Sequence, residues 1–491
     1  MNRLILQPPL TDILPNGART WATGASDLTV LTYSFMASRP SDGGADVGTD
    51  FQVANQELQD AVRRIFQRLG TDLGLSFREV SEADGNVGTL RFGVLQLKDA
   101  KGAAYRPHDV PIGDSRAGDV YMDVDTLVAL KEGQEGWQAL LHEIGHALGL
   151  DHPRTGSQFR GAIDSVMTVN SPSNGLWQSW FGPSDLAALR SVYGEPMRTA
   201  VVRDTIFELA DGLGESMSTL SDFDAGSDTL DASRISTGVY LDLRPGGLSS
   251  VGLTGEGAPA VDNLVTDWNT QIEHVKGSEW DDIIVGNDSD NFFVSNAGND
   301  RLIGGDGFDV VLVPGRLQNH TVEASFVSGV LFLVPQADPT GVKTIDGIER
   351  VQFEDGGGLA FDIVGVGGQA YRIYKAAFNR TPDSGGLGYW IGQMDLGMGL
   401  IEVSARFIDS KEFRDLYGAA PTNADFLAKV YTNVLGRTPD QGGYDWWLNA
   451  MNTDPSKTFA KVLADFSESA ENQTGTAELV AMGIAYEPWS G

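Results

Sequence analysis

Leu58, Ala61, Val62, Ile65, Phe66 and Leu69 recur three and four residues apart, which lays one apolar stripe along a helix over 58–69. Residues 30–35, 75–80 and 90–97 have the branched and aromatic content of short strands, bounded by glycine or polar turns. The first two hundred or so residues are thus expected to mix helix and strand. A second helix is predicted over 135–150, with Gly149 near its end as the stop.

Between 277 and 312 the pattern changes to a strict period of nine: GSEWDDIIV, GNDSDNFFV, SNAGNDRLI and GGDGFDVVL. Position six is Asp282, Asn291, Asp300 or Asp309, and position eight is Ile284, Phe293, Leu302 or Val311. An earlier unit, FDAGSDTLD at 223–231, lies a whole number of periods upstream and puts Asp228 and Leu230 in the same places. The tail holds a longer duplication, YKAAFNRTPDSGGLGYWIGQM at 374–394 and YTNVLGRTPDQGGYDWWLNAM at 431–451. Phe426, Leu427, Val430, Tyr431, Val434 and Leu435 form one helical stripe there, and Phe459, Val462, Leu463 and Phe466 another. The expected organisation is multidomain α+β: an extension over 1–20, a mixed sheet-and-helix domain over 21–200, a repeat region over 201–365 and an all-α domain over 366–491.

Composition narrows the function. The chain has 491 residues, 35 Lys+Arg and 67 Asp+Glu, a net charge of −32 that would repel a phosphate backbone and argues against nucleic-acid binding. Excess carboxylate favours hard cations, calcium first. There are no cysteines, so disulfides, thiolate metal sites and a cysteine nucleophile are excluded. No apolar run approaches the ~18 residues of a membrane span. Leu4, Ile5 and Leu6 are cut off by Pro8 and Pro9, short of the apolar core a cleaved signal peptide needs.

Residues 142–153 read HEIGHALGLDHP. On a helix, His142 and His146 project from one face and can share a zinc ion, and a break at Gly149 swings His152 round as third ligand. A fourth position then remains for water, with Glu143 placed to act as its general base. His108, His274 and His320 stand alone and are expected to be structural or solvated.

With this motif the chain resembles the metzincin metalloproteases, in which a methionine turn follows the extended zinc helix. Met167, in SVMT, fits that turn. Pro153 and the segment GPSDLAALRSVYG at 182–194 are similar to the serralysin branch, where a protease domain precedes calcium-binding nonapeptides. The resemblance implies a metzincin fold, peptide-bond hydrolysis in protein or peptide substrates, and 90–97 as the edge strand that pairs with substrate. Serralysins carry a Tyr two residues after the Met, where this chain has Val169, so one stabilising donor is missing.

The nonapeptides match the repeat of a parallel β-roll, in which glycines make the turn, position six faces calcium and position eight fills the interior. Ions are expected between units one and three, through Asp282 and Asp300, and between units two and four, through Asn291 and Asp309. Asn291 brings no charge, which predicts the weaker site there. Extracellular calcium modules work at roughly 10⁻⁴–10⁻³ M, so folding would wait for the outside of the cell. The resemblance implies export by a type I apparatus. The RTPDxxGxxxW repeat of the tail includes Arg380, Pro382, Asp383, Gly386 and Trp390, matched by Arg437, Pro439, Asp440, Gly443 and Trp447. It is similar to a bacterial helical domain of unassigned function, with Pro and Asp near a helix start and Trp in the core, or else a surface for cell envelope or glycan. The sequence therefore points to a secreted, calcium-stabilised zinc endopeptidase. The alternative is a calcium-dependent surface or adhesion protein whose protease domain is weak or self-processing.

Overall fold

The computed structural model describes residues 10–14, 20–21, 29–41, 48–111, 113–154, 160–168, 175–195, 203–222, 225–324, 330–336 and 341–489. Val169 and most of residues 1–20 lie outside these. Backbone packing divides the chain into two units, Met1–Ser289 and Asp290–Gly491.

The first unit opens with β1 (Thr29–Phe35), β2 (Gly48–Gln52), α1 (Gln56–Asp72), β3 (Leu75–Glu79), β4 (Leu90–Leu97), β5 (Gly102–Ala104), β6 (Asp119–Asp123), α2 (Glu135–Ala147) and α3 (Pro183–Tyr193). The strands form one mixed sheet in the order β3-β1-β4-β6-β5, with β2 also pairing β4. β1, β3, β4 and β6 run parallel, while β2 and β5 are antiparallel to their neighbours. All six stripe residues of α1 are buried, joined in one core by Trp137, Leu140, Leu141 and Ile144 of α2. Asn55 caps α1 by accepting from the Leu58 amide.

Here the expectation for 90–97 is corrected. β4 is flanked by β1 and β2 on one side and by β6 on the other, and the strands that end the order are β3 and β5, of which β5 adjoins Glu143. The near-continuous apolar run of β4 is what a strand covered on both faces requires.

Short strands follow: β7 (Ile206–Glu208), β8 (Ser218–Leu220), β9 (Thr229–Asp231), β10 (Tyr240–Asp242), β11 (Leu248–Ser249), β12 (Leu264–Thr266), β13 (His274–Lys276) and β14 (Ile283–Val285). β7, β9 and β13 pair in parallel, as do β10 and β14. Arg190 of α3 meets Asp267 at 2.7 Å, both buried.

The second unit contains β15 (Phe292–Val294), β16 (Asp300–Ile303), β17 (Val310–Val313), β18 (His320–Ala324), β19 (Leu331–Pro335), β20 (Lys343–Asp346), β21 (Arg350–Phe353) and β22 (Gly358–Ala360). β15 pairs in parallel with β17, Phe292 opposite Val310, so strands two nonapeptides apart are neighbours. β17 pairs with β21 and β16 with β20, again in parallel. Phe293, Leu302 and Val311, all at position eight, are fully buried.

The chain then becomes helical: α4 (Val366–Phe378), α5 (Ser384–Asp395), α6 (Leu400–Ile408), α7 (Lys411–Tyr417), α8 (Asn423–Leu435), α9 (Gln441–Thr453), α10 (Phe459–Ser467) and α11 (Ala470–Val480). One short strand, β23 (Ile484–Tyr486), adds antiparallel to β22. The duplication repeats its contacts. Asp383 caps α5 through the Gly386 amide and Asp440 caps α9 through the Gly443 amide. Arg380 pairs with Glu412 as Arg437 pairs with Glu471, and Trp390 and Trp447 pack edgewise or tilted on Phe407 and Phe466. No helix among the described residues is long and apolar enough to cross a membrane.

Candidate metal centre

α2 delivers His142 and His146 on one face, their rings 4.7 Å apart. The helix stops at Ala147, and Gly149 follows with φ +107°, a conformation that favours glycine. The Leu150 amide donates back to the Gly145 carbonyl at 2.9 Å, turning the chain so that His152 faces the pair. Two distant side chains close the helix end, Trp21 Nε1 donating to Ala147 O at 2.8 Å and Tyr193 Oη to Leu148 O at 2.6 Å.

The Nε2 atoms of His142 and His146 each lie 3.1 Å from Nε2 of His152. His142 Nδ1 faces the Val166 carbonyl at 2.8 Å, and His146 Nδ1 faces that of Leu150 at 2.9 Å. A carbonyl only accepts, so each Nδ1 carries the ring proton and leaves an Nε2 lone pair pointing inward. Converging lone pairs at this distance call for a shared cation. Ligands 2.0–2.1 Å from a tetrahedral zinc would stand about 3.3 Å from one another. The donor set therefore fits zinc, and among the described residues these three histidines form the one group of this kind.

Burial pushes the His142 imidazolium down to about 4 and that of His146 to about 3, so both rings are neutral near neutral pH, the form that can ligate a metal. Glu143 is 7% exposed, and burial raises its carboxyl to about 8 in the metal-free protein. It faces β5, where a Cβ on Gly102 would come within 2.5 Å of its Cγ. Glu143, His142, Gly102, Gln138, Thr168 and Trp177 line a cleft of about 320 Å³.

The loop under the helix is tied by Asp185 of α3. Its carboxylate accepts from Ser165 Oγ at 2.6 Å, the Val166 amide at 2.8 Å and the Gly182 amide at 2.9 Å. Ser165 Oγ in turn accepts from the Met167 amide, and Met167 is wholly buried with its sulfur packed over Gly145, between the two helical histidines. Sequence reasoning passed over Asp185 and Gly102. An acidic residue two places after Pro183 at a helix start was a signal for the first, whereas nothing local marks Gly102.

The nonapeptide carboxylates have varied surroundings. Asp228 accepts from the Thr205 amide, and Asp282 from the Val239 and Ser278 amides. Asp300 meets Lys343 Nζ at 2.7 Å. The Asn291 amide donates to Asp309 Oδ1 at 2.8 Å, while Asp309 Oδ2 is buried with no hydrogen-bond partner among the described residues. Burial, reinforced by Glu349, Asp290 and Asp306, raises the Asp309 carboxyl to about 7. Of the remaining histidines, His274 bonds Ser227 and His320 the Arg316 carbonyl.

A family model described as matrixin matches residues 31–193, and one described as a domain of unknown function matches 404–476. The chain is 25% identical over 298 residues to a serralysin of Photorhabdus luminescens, covering 53% of this chain and 58% of the relative. It is 27% identical over 316 residues to metalloprotease AprA of Pseudomonas entomophila, covering 56% and 62%. It is also 27% identical over 310 residues to serralysin G of Dickeya chrysanthemi, again covering 56% and 62%. The chain thus spans about three fifths of the length of these relatives.

Proposed function

On the premise that residues 31–193 form a serralysin-like metzincin domain, we propose that the chain is a zinc-dependent endopeptidase, with His142, His146 and His152 as ligands and Glu143 as general base. The convergence of three Nε2 lone pairs beside a buried carboxylate is the observation that carries this reading. Bound zinc would supply Lewis acidity, acidifying water and polarising the scissile carbonyl. Glu143 takes a proton from the attacking water and delivers it to the departing amine nitrogen, so the peptide bond breaks with no net proton change. The outer edge of β5, whose partner among the described strands is β6 alone, offers backbone groups for an extended substrate, and Gly102 keeps that strand close to Glu143. Asp185 and Met167 hold the floor of the site.

Calcium binding by the repeats belongs to the same proposal. The buried, unpartnered Asp309 Oδ2 beside Asn291, Asp306 and Glu349 supports it, and a divalent ion there would relieve the crowding of acids. Secretion by a type I route and a cell-envelope or glycan ligand for the tail follow from the resemblance and are proposed on that ground alone.

Casein turnover tests the chemistry. Activity should vanish on removing zinc with a chelator and return on adding it back, and Glu143→Gln should lower kcat by about 10²–10⁴ while leaving zinc content unchanged. Turnover that survives Glu143→Gln would overturn the mechanism, and no casein turnover by the zinc-loaded parent would favour the adhesion role.

A further inference from the structure

In the third nonapeptide, SNAGNDRLI at 295–303, positions two, four and six are Asn296, Gly298 and Asp300. The carbonyl oxygens of Asn296 and Gly298 and one carboxylate oxygen of Asp300 converge on a single point. That point is already held by Lys343 Nζ, at 2.7, 2.8 and 2.7 Å. An ammonium has three N–H donors, and three acceptors meet them. Lys343 is 2% exposed and opens β20 in parallel register with Asp300 at the head of β16. The next turn of the ladder on this face therefore supplies a lysine at the position-six level, and its side chain reaches back into the turn before.

The fourth nonapeptide ends differently. Val310 of β17 pairs with Arg350 of β21, so Glu349 stands level with Asp309, and its carboxylate accepts the Asp309 amide at 2.8 Å. One face closes with an added cation and the other with an added acid. Two amide carbonyls and a carboxylate are the donors a hard cation takes. A calcium ion in the same three-oxygen cage would lie in contact with the ammonium, two like charges in a buried place.

We propose that Lys343 is a built-in cation that fills the ion place of the third nonapeptide, leaving the calcium requirement to the Asp309–Glu349 face. The inference rests on the calcium reading only for what those three oxygens would otherwise hold. It also reverses the ranking drawn from charge count, by which the Asn291–Asp309 site was the weaker one.

The full-length chain and its Lys343→Ala variant should be compared for bound calcium per chain by equilibrium dialysis with ⁴⁵Ca, and for unfolding temperature in EDTA and in millimolar calcium. The variant is expected to bind one calcium more than the parent, and to lose stability in EDTA that calcium restores. An unchanged calcium count overturns the proposal, and the parent's own count separately decides the calcium reading, which fails if it is zero. Should the variant not fold, amine acetylation of the parent decides. Lys343 should stay unmodified in EDTA and in calcium while Lys411, 84% exposed, reacts. Modification of Lys343 appearing on calcium addition would mean that the ion displaces it and would end the proposal.

Discussion

His142 and His146 on one side and Glu143 on the other answer to pH in opposite senses. The imidazoles have pKa values lowered by folding, from 6.5 to about 4 and about 3, so between those values the unfolded chain binds more protons and stability is lost as pH falls below 6.5. The Glu143 carboxyl is raised from 4.5 to about 8, so the native state binds more protons and stability is lost as pH rises through that range. Above 6.5 only the second effect remains of the two. Metal-free protein should therefore lose about 2 kcal/mol between pH 6.5 and 8 that Glu143→Gln does not lose, measured as the difference between the two urea titrations. Equal pH slopes would show that the carboxyl is already ionised. The three converging histidines and the buried carboxyl beside them were legible in the sequence because one helix and one turn carry all four. Gly102, Asp185 and Lys343 were not, since each acts on residues that only folding brings near.

Among the elements, β5 shows how a three-residue strand can matter more than an eight-residue one. Its outer edge is unpaired among the described residues and its glycine lies against Glu143, so a methyl group at 102 must push either the strand or the carboxylate aside. Gly102→Ala should reduce kcat tenfold or more with the unfolding temperature nearly kept and zinc still bound, and unchanged kcat would show that the strand yields instead. β4 was mistaken for the edge because strand neighbours are set by crossover connections, which leave no local mark. Its unbroken apolar run was the available hint. The tail helices were legible down to their stripes, and the paired Asp383 and Asp440 caps explain why the RTPD motif recurs. Asp383→Ala and Asp440→Ala should each cost about 1 kcal/mol by denaturant unfolding. A cost near zero for both would return the motif to a surface role.

Across the whole chain, the period of nine gave the alternation of strands directly: β15 and β17, eighteen residues apart by register, lie side by side. What it could not give is the charge that closes each face, because Lys343 and Glu349 lie beyond the last clean repeat. If the Asp309 face takes calcium, far-ultraviolet circular dichroism of the full chain should gain β signal between EDTA and millimolar calcium. An unchanged spectrum would count against coupled folding. The first unit carries one more long-distance tie. Ile13 is wholly buried in the domain core, and its carbonyl accepts the amide of Asp151, the residue just before His152, at 2.7 Å. A molecule nicked on the C-terminal side of Ile13 and stripped of the leading peptide would keep its two helical imidazoles but lose the staple on the third. On the proposed zinc reading, limited digestion at that end should thus lower zinc content, measured by metal analysis of the trimmed protein.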